Sequence, residues 1–138
     1  MGTDLQDVFD SFFIKFPNVD FTNKESQVFQ IFKTAIAKCS RNVYEKLEYT
    51  YDEITHDGSF LNIIPNSSIE LIAIYMAKEY SSQIFTLISA RKQYIGTQSF
   101  NKLPDKKIDF DEAKYLFEYW NNELEKFKSE FPDYSDER

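Results

Sequence analysis

The chain has 138 residues, and its 16 Lys and Arg against 23 Asp and Glu give a formal net charge of -7 at pH 7. This length predicts one domain whose hydrophobic core is large enough to be stable without covalent cross-links. The single cysteine, Cys39, allows no internal disulfide. The acidic balance argues against general binding to nucleic acid or anionic membranes and favours protein partners.

The amino-acid usage predicts an all-α fold. With 14 Phe and 9 Tyr but only 3 Gly and 4 Pro, the chain is rich in core formers and poor in turn residues. We expect a compact bundle of about four to five helices around a buried central helix, as a single domain over residues 1–138. The longest apolar run, residues 71–77, is far shorter than the roughly 20 residues that a membrane-spanning helix needs, which predicts a soluble protein.

Four capping-box patterns predict four helix starts. In each pattern a side-chain acceptor at the N-cap is followed three residues later by Glu or Gln, so that the pair satisfies amide groups that the helix leaves free. The four pairs are Thr3 with Gln6, Thr22 with Glu25, Ser67 with Glu70, and Asp109 with Glu112.

The first two predicted helices are amphipathic. A short helix over residues 4–15 presents aromatic side chains on one side and ends before Pro17. A second helix, over residues 23–40, carries one apolar stripe at spacings of three and four. Cys39 lies in this stripe and is expected to be a buried small hydrophobe rather than a redox thiol.

The pattern changes in the middle of the chain. Leu47, Tyr49 and Tyr51 alternate with polar residues, which is typical of a strand, and residues 56–59 read His-Asp-Gly-Ser, a strong turn signal. We expect a short β-hairpin or an irregular protruding loop at about residues 41–66.

The second half is predicted to be helical again. A helix that starts at Ser68 is apolar on all sides, so other elements should enclose it. We expect it to break near Ser81 and Ser82, with a second apolar segment that continues to about residue 94. A final amphipathic helix is predicted over residues 110–129.

The chain closes with a predicted extended tail, residues 129–138. Phe131 and Tyr134 are apolar anchors in an otherwise acidic segment that Pro132 stiffens. Such a segment suits a docking arm, and a frayed terminus is the alternative.

No pattern points to catalysis, a metal or a cofactor. His56 stands beside Asp57 without the nucleophile and third group that acyl transfer needs. The acidic pairs do not match a calcium loop, and the sequence contains no glycine-rich phosphate loop or zinc spacing. We therefore expect a protein that is not an enzyme and holds no cofactor, although an active site assembled from scattered Tyr, Asp and Glu residues stays open as an alternative.

The order of motifs resembles a family of small head-tail connector, or adaptor, proteins of tailed phages and prophages. The resemblance covers nearly the whole chain, and its signal lies in the order and spacing of individually loose motifs. The chain departs from the family pattern with Tyr80 in place of a tryptophan, with no proline near Gln83, and with a longer connection at residues 101–109. The motifs are Ile-Glu-Leu-Ile-Ala-Ile-Tyr-Met-Ala-Lys-Glu-Tyr at residues 69–80, Gly-Thr-Gln-Ser-Phe at 96–100, and Asp-Tyr-Ser at 133–135.

The resemblance implies a structural virion protein, made in the host bacterial cytoplasm and located at the head-tail junction. Copies are expected to form a ring, commonly a dodecamer, beneath the portal protein, to extend the DNA channel and to receive the next connector or tail component. DNA would pass through without sequence-specific binding. The alternative is a small acidic phage-encoded interaction or inhibitor protein that binds a basic host protein.

Five aromatic residues are the candidate interface residues on this hypothesis. The tail is expected to reach the portal through Phe131 and Tyr134. The segment 48–60 is expected to contact a neighbouring copy or the channel through Tyr49, Tyr51 and Phe60.

Overall fold

The computed structural model of the protein describes residues 2–17, 19–39, 47–95 and 110–130. Within these ranges the protein is mostly helical, as predicted, with four helices and one small two-stranded antiparallel sheet. The sheet is the hairpin alternative that the middle of the sequence suggested. In chain order the elements are α1 (Leu5–Ile14), α2 (Glu25–Cys39), β1 (Tyr49–Asp52), β2 (Asp57–Phe60), α3 (Asn66–Ile95) and α4 (Phe110–Glu130).

The central helix is α3, which packs against α1, α2 and α4. All seven residues from 71 to 77 are buried, so nearly two turns of this helix are enclosed around their full circumference. This confirms the expectation that a helix with apolar residues on all sides lies inside the fold.

The predicted break in α3 is wrong, because the helix runs without interruption through Ser81 and Ser82. A serine in a helix interior costs only about 0.5 kcal/mol relative to alanine, which tertiary packing readily overrides. Here Ser81 is fully buried and Ile88, two turns later, is buried as well. Packing on both sides of the two serines therefore keeps the helix continuous.

The far end of α3 pairs with the beginning of α4, and we call this part the arm (residues 81–95 and 110–117). At 1.5 Å per residue, α3 is about 45 Å long. In the arm the rings of Phe85 and Phe117 stack with centroids 5.5 Å apart. Ile88 and Ala113 are buried there but do not belong to the main core cluster. The arm thus has its own small apolar contact.

The N-terminal segment is bonded to the hairpin, which corrects the first predicted cap. Asp4, not Thr3, caps α1, since its side chain accepts a hydrogen bond of 3.0 Å from the backbone N–H of Gln6. The Thr3 hydroxyl instead accepts one of 2.7 Å from the backbone N–H of Ile64. The long-range hydrogen bond from Ile64 therefore uses the Thr3 hydroxyl, which the local pattern had assigned to the helix cap.

Two further predicted caps are also displaced. Asn23 adopts a left-handed φ of 64°, which separates Thr22 from the start of α2 at Glu25. The helix α3 begins at Asn66, so Ser67 lies inside its first turn rather than at the cap. The fourth predicted cap, Asp109, lies outside the described residues.

The core is rich in aromatic rings contributed by several elements. Phe12 of α1 is fully buried and lies 5.5 Å from Phe16 and, edge-on, 5.9 Å from Tyr80 of α3, measured between ring centroids. Phe16 in turn lies 5.7 Å from Trp120 of α4. Cys39 is fully buried, as predicted, and burial raises the pKa of its thiol to about 12.

Candidate functional site

The hairpin holds three of the predicted interface residues, and it packs on α2 through aromatic rings. Tyr51 stacks on Phe29 with ring centroids 3.7 Å apart and planes 8° from parallel. Tyr49 meets Phe32 edge-on at 5.2 Å. Both tyrosines are half-buried, so each anchors the hairpin and still presents one side to solvent.

Phe60 has a different position from the one that the sequence suggested. Its side chain is 0% exposed and packs against Phe32 and Tyr49, with ring centroids 6.0 and 6.5 Å away. It therefore belongs to the core of the subunit and offers no surface to a neighbour. Phe131 and Tyr134, the two tail anchors, lie outside the described residues.

The turn of the hairpin also differs from the predicted one. Asp57, Gly58 and Ser59 belong to β2, and the turn consists of the preceding residues 53–56. The Asp52 side chain closes it by accepting bonds from the backbone N–H groups of Ile54, at 2.8 Å, and Thr55, at 3.3 Å. A side-chain acceptor thus fixes the turn at residues 53–56, three positions before the predicted turn at residues 56–59.

Gly58 is required for the pairing of the two strands. It faces Tyr51 in the register, and a Cβ atom there would stand 2.2 Å from the carbonyl oxygen of Thr50. This close approach of backbones is the reason that a glycine occupies a strand position.

A cavity of about 440 Å³ lies between α1, the segment before α2, and the hairpin. Its walls include the aromatic rings of Phe9, Phe13 and Phe21, and its ionisable lining residues are Glu25, Tyr51 and His56. The Tyr51 hydroxyl lies 3.2 Å from Nδ1 of His56. Such a pocket can accept an apolar side chain next to polar groups.

Exposed carboxylates surround the outer side of the hairpin. Glu48, Asp52, Glu53 and Asp57 are all exposed. Desolvation by burial is the largest cause of a raised pKa of the Tyr51 hydroxyl, and nearby Glu25, Glu53, Asp57 and Asp52 raise it further. The region therefore has a negative local potential.

Large apolar side chains are exposed at several places, including Ile14 at the end of α1, Ile63 before α3, the hairpin turn and the arm. Ile54 at the hairpin turn is 90% exposed, while Leu87 and Tyr115 on the arm are 61% and 65% exposed. The sequence analysis did not identify these residues. For Ile54 the signal was available, since an isoleucine stands alone in a polar turn, whereas the exposure of Leu87 depends on how α3 and α4 pair.

Comparison with known proteins gave no relative: no family model, no curated protein and no solved structure matches this chain. In the described ranges, His, Cys, Asp and Glu form no group that could hold a metal ion. Among the helices of the same ranges, none is both long enough and apolar enough to cross a membrane.

Proposed function

We propose that this protein is a structural head-tail connector of a tailed phage or prophage. In this function copies assemble as a ring beneath the portal protein, extend the DNA channel and receive the next connector or tail component. The role is structural, without catalysis, and its place is the head-tail junction of the virion.

One observation carries the proposal: separate parts of the molecule, among them the hairpin and the arm, expose large apolar side chains. Ile54 lies on the hairpin, which packs against α1 and α2, whereas Leu87 and Tyr115 lie on the arm. A closed ring needs a head-to-tail contact in which one surface of a subunit meets a different surface of its neighbour. Two separate apolar regions on one chain are what such a contact requires.

The order of the elements supports the same proposal. The resemblance implies a short aromatic opening helix, a second helix, an irregular middle, an apolar helix and a long final helix. The structure has α1, α2, the hairpin, α3 and α4 in that order. A duplex would pass an acidic channel wall without adhering to it, because few phosphates would find cationic partners.

The test is the mass of the purified chain, alone and mixed with portal rings, by native mass spectrometry or light scattering. We expect a ring-sized complex, formed either alone or on the portal. Substituting Leu87→Asp should prevent that complex, since a charge would have to be buried at the contact. Thr86→Asp is the matched control, because Thr86 is also exposed and neighbours Leu87 on the same helix.

Equal assembly of the two variants would remove Leu87 from the ring contact. A chain that stays monomeric with every portal tested would contradict the connector function as a whole.

The tail has a separate test. Removing residues 131–138 leaves all four described helices intact, so folding should be unchanged while binding to the portal is lost. Unchanged binding would refute the docking role of Phe131 and Tyr134.

A small acidic interaction protein is the second candidate, and the hairpin carboxylates favour it. The hairpin region exposes four carboxylates, those of Glu48, Asp52, Glu53 and Asp57. Such a protein would bind one basic partner as a monomer or dimer. The mass measurement distinguishes the two functions, because only the connector forms a ring with the portal.

A further inference from the structure

The outer edge of β1 has backbone groups with which no strand of the described residues pairs. Thr50 lies opposite Ser59 in the register, and the N–H of Leu61 donates a bond of 2.9 Å to the carbonyl of Glu48. Pairing directions alternate along an antiparallel strand, so the N–H and C=O groups of Tyr49 and Tyr51 point away from β2. No hydrogen bond from the described part of the chain reaches these four groups.

The opposite edge of the sheet, the outer edge of β2, is partly covered by the N-terminal segment. On that side the N–H of Phe60 donates a bond of 2.7 Å to the carbonyl of Thr3, and Asp4 bridges to Ser59. The N-terminal segment therefore extends the sheet beyond β2. On the outer edge of β1, by contrast, no described segment is bonded to the backbone of Tyr49 or Tyr51.

A groove with room for an extended segment runs along this open edge. It has a volume of about 750 Å³ and is lined by β1, the turn and Phe29 of α2. A strand paired with the four residues Tyr49–Asp52 would extend for about 13 Å. The half-buried rings of Tyr49 and Tyr51 and the exposed Ile54 give side chains of such a strand apolar surface to contact.

The charges along the groove favour a cationic occupant. Glu48, Asp52, Glu53 and Asp57 are exposed, and none of them forms an ion pair with a described residue. A described cation nearby is Lys33, whose ammonium lies 5.3 Å from the centroid of the Phe29 ring. Among the residues that the structure describes here, the carboxylates thus outnumber the ammonium groups.

The same charges disfavour a second copy of β1 as the occupant. Two such edges placed side by side would bring Glu48 and Asp52 of each copy close to the acidic residues of the other, and like charges across strands are destabilising. Acidic residues on an edge strand protect it from self-pairing. They leave it open to a strand of the opposite charge.

We propose that the outer edge of β1 is a strand-addition site, which takes up an extended segment of a partner protein that carries Lys or Arg side chains. Backbone hydrogen bonds to Tyr49 and Tyr51 would hold the segment, and Glu48 and Glu53 would select its charge. This binding goes beyond the connector function and does not depend on it.

The test uses the full chain and a synthetic peptide of about eight alternating Lys and Val residues, long enough for a typical strand. Binding is followed by NMR, through the chemical shifts and the hydrogen-exchange protection of the Tyr49 and Tyr51 amides. We expect both amides to shift and to gain protection on binding. A second peptide with the same charges, but with methylated backbone nitrogens along its pairing edge, should bind at least about tenfold more weakly.

Charge reversal in the protein tests selection by the groove. Glu48→Lys combined with Glu53→Lys should weaken peptide binding at least about tenfold. Glu118→Lys combined with Glu125→Lys is the matched control, since both residues are exposed on α4 and the change in net charge is the same. The control pair should leave binding unchanged.

Each contrary result overturns the proposal. Equal binding of the two peptides, or equal loss in the two double variants, would show non-specific attraction of charges. Amide shifts confined to other elements, or no binding at all, would place no strand at β1. Self-association of the chain that the Glu48 and Glu53 substitutions alter would identify a second copy, and not a partner protein, as the occupant.

Discussion

Replacing Phe60 with alanine tests whether this residue is an interface residue, as the sequence suggested, or a core residue, as its burial indicates. As an interface residue it would be dispensable for folding of the free chain, whereas the structure buries it completely between Phe32 and Tyr49. The neighbouring Leu61 is the matched control, because it is 53% exposed at the next position of the chain. The two alanine variants therefore compare a core residue with a surface residue at almost the same place.

The expected magnitude follows from burial. Truncating a fully buried phenylalanine costs about 3–5 kcal/mol, since apolar surface is lost and a cavity stays behind. A domain of this length has an unfolding entropy near 0.29 kcal/mol/K, so Phe60→Ala should lower Tm by about 10–17 °C. Leu61→Ala should change the free energy of unfolding by less than about 1 kcal/mol.

The assay is urea unfolding followed by circular dichroism, with the free energy of unfolding obtained by linear extrapolation. Should Phe60→Ala fail to fold, Phe60→Leu provides the same test with a smaller loss, about 1 kcal/mol. A Phe60 variant as stable as its Leu61 counterpart would refute the placement of this ring in the core.

Three other predictions concern buried polar groups. Burial raises the pKa of the Cys39 thiol from its ordinary value of 9.0 to about 12. The thiol of the unfolded chain therefore ionises first as pH rises. The stability that the buried neutral thiol contributes is complete below pH 9 and is lost as pH rises from about 9 to 12. Glu70→Gln should destabilise the protein by about 1 kcal/mol more than Lys15→Met. In the first variant the Lys15 ammonium loses its charged partner while its side chain is only 12% exposed. In the second variant the Glu70 carboxylate loses its partner, but its side chain is 42% exposed and can be hydrated. Ser81→Ala should raise stability by about 1 kcal/mol, since the Ser81 hydroxyl is buried without a hydrogen-bond partner among the described residues.

Urea unfolding checks all three. For Cys39, the control is Cys39→Ala, whose stability should fall less steeply above pH 9; identical slopes would contradict the burial of the thiol. Equal losses at Lys15 and Glu70 would mean that Lys15 is well hydrated. A clear loss of stability in Ser81→Ala would mean that the hydroxyl has a partner.

Local periodicity was sufficient to predict where most elements lie. The stripes of α1 and α2 and the alternation around Tyr49 and Tyr51 placed these elements within a few residues, because each pattern reflects the geometry of one helix or strand. The burial of Cys39 was predicted in the same way, from its place in a stripe.

Short-range rules failed where distant residues competed for the same group. Thr3 fits a capping box, but Ile64 bonds its hydroxyl. Ser81 and Ser82 are weak helix formers, but they lie in a helix that packing stabilises on both sides. In both cases a contact over a long sequence separation outweighs a local preference of about 1 kcal/mol or less.

The candidate surfaces depended on the tertiary structure most of all. Phe60, Tyr49 and Tyr51 look alike in an alternating pattern, and only the packing on Phe32 and Phe29 separates a core ring from two half-exposed ones.

By itself, then, the sequence determined a mostly helical domain with an apolar central helix and a hairpin or irregular loop in its middle, since these follow from spacing and composition. The tertiary structure decided that Thr3 and Asp4 partly cover one edge of the sheet and that β1 keeps its outward backbone groups free of bonds from the described residues. The physical reason is that spacing encodes which side of an element is apolar, whereas partners and surfaces are set only when elements distant in the chain meet.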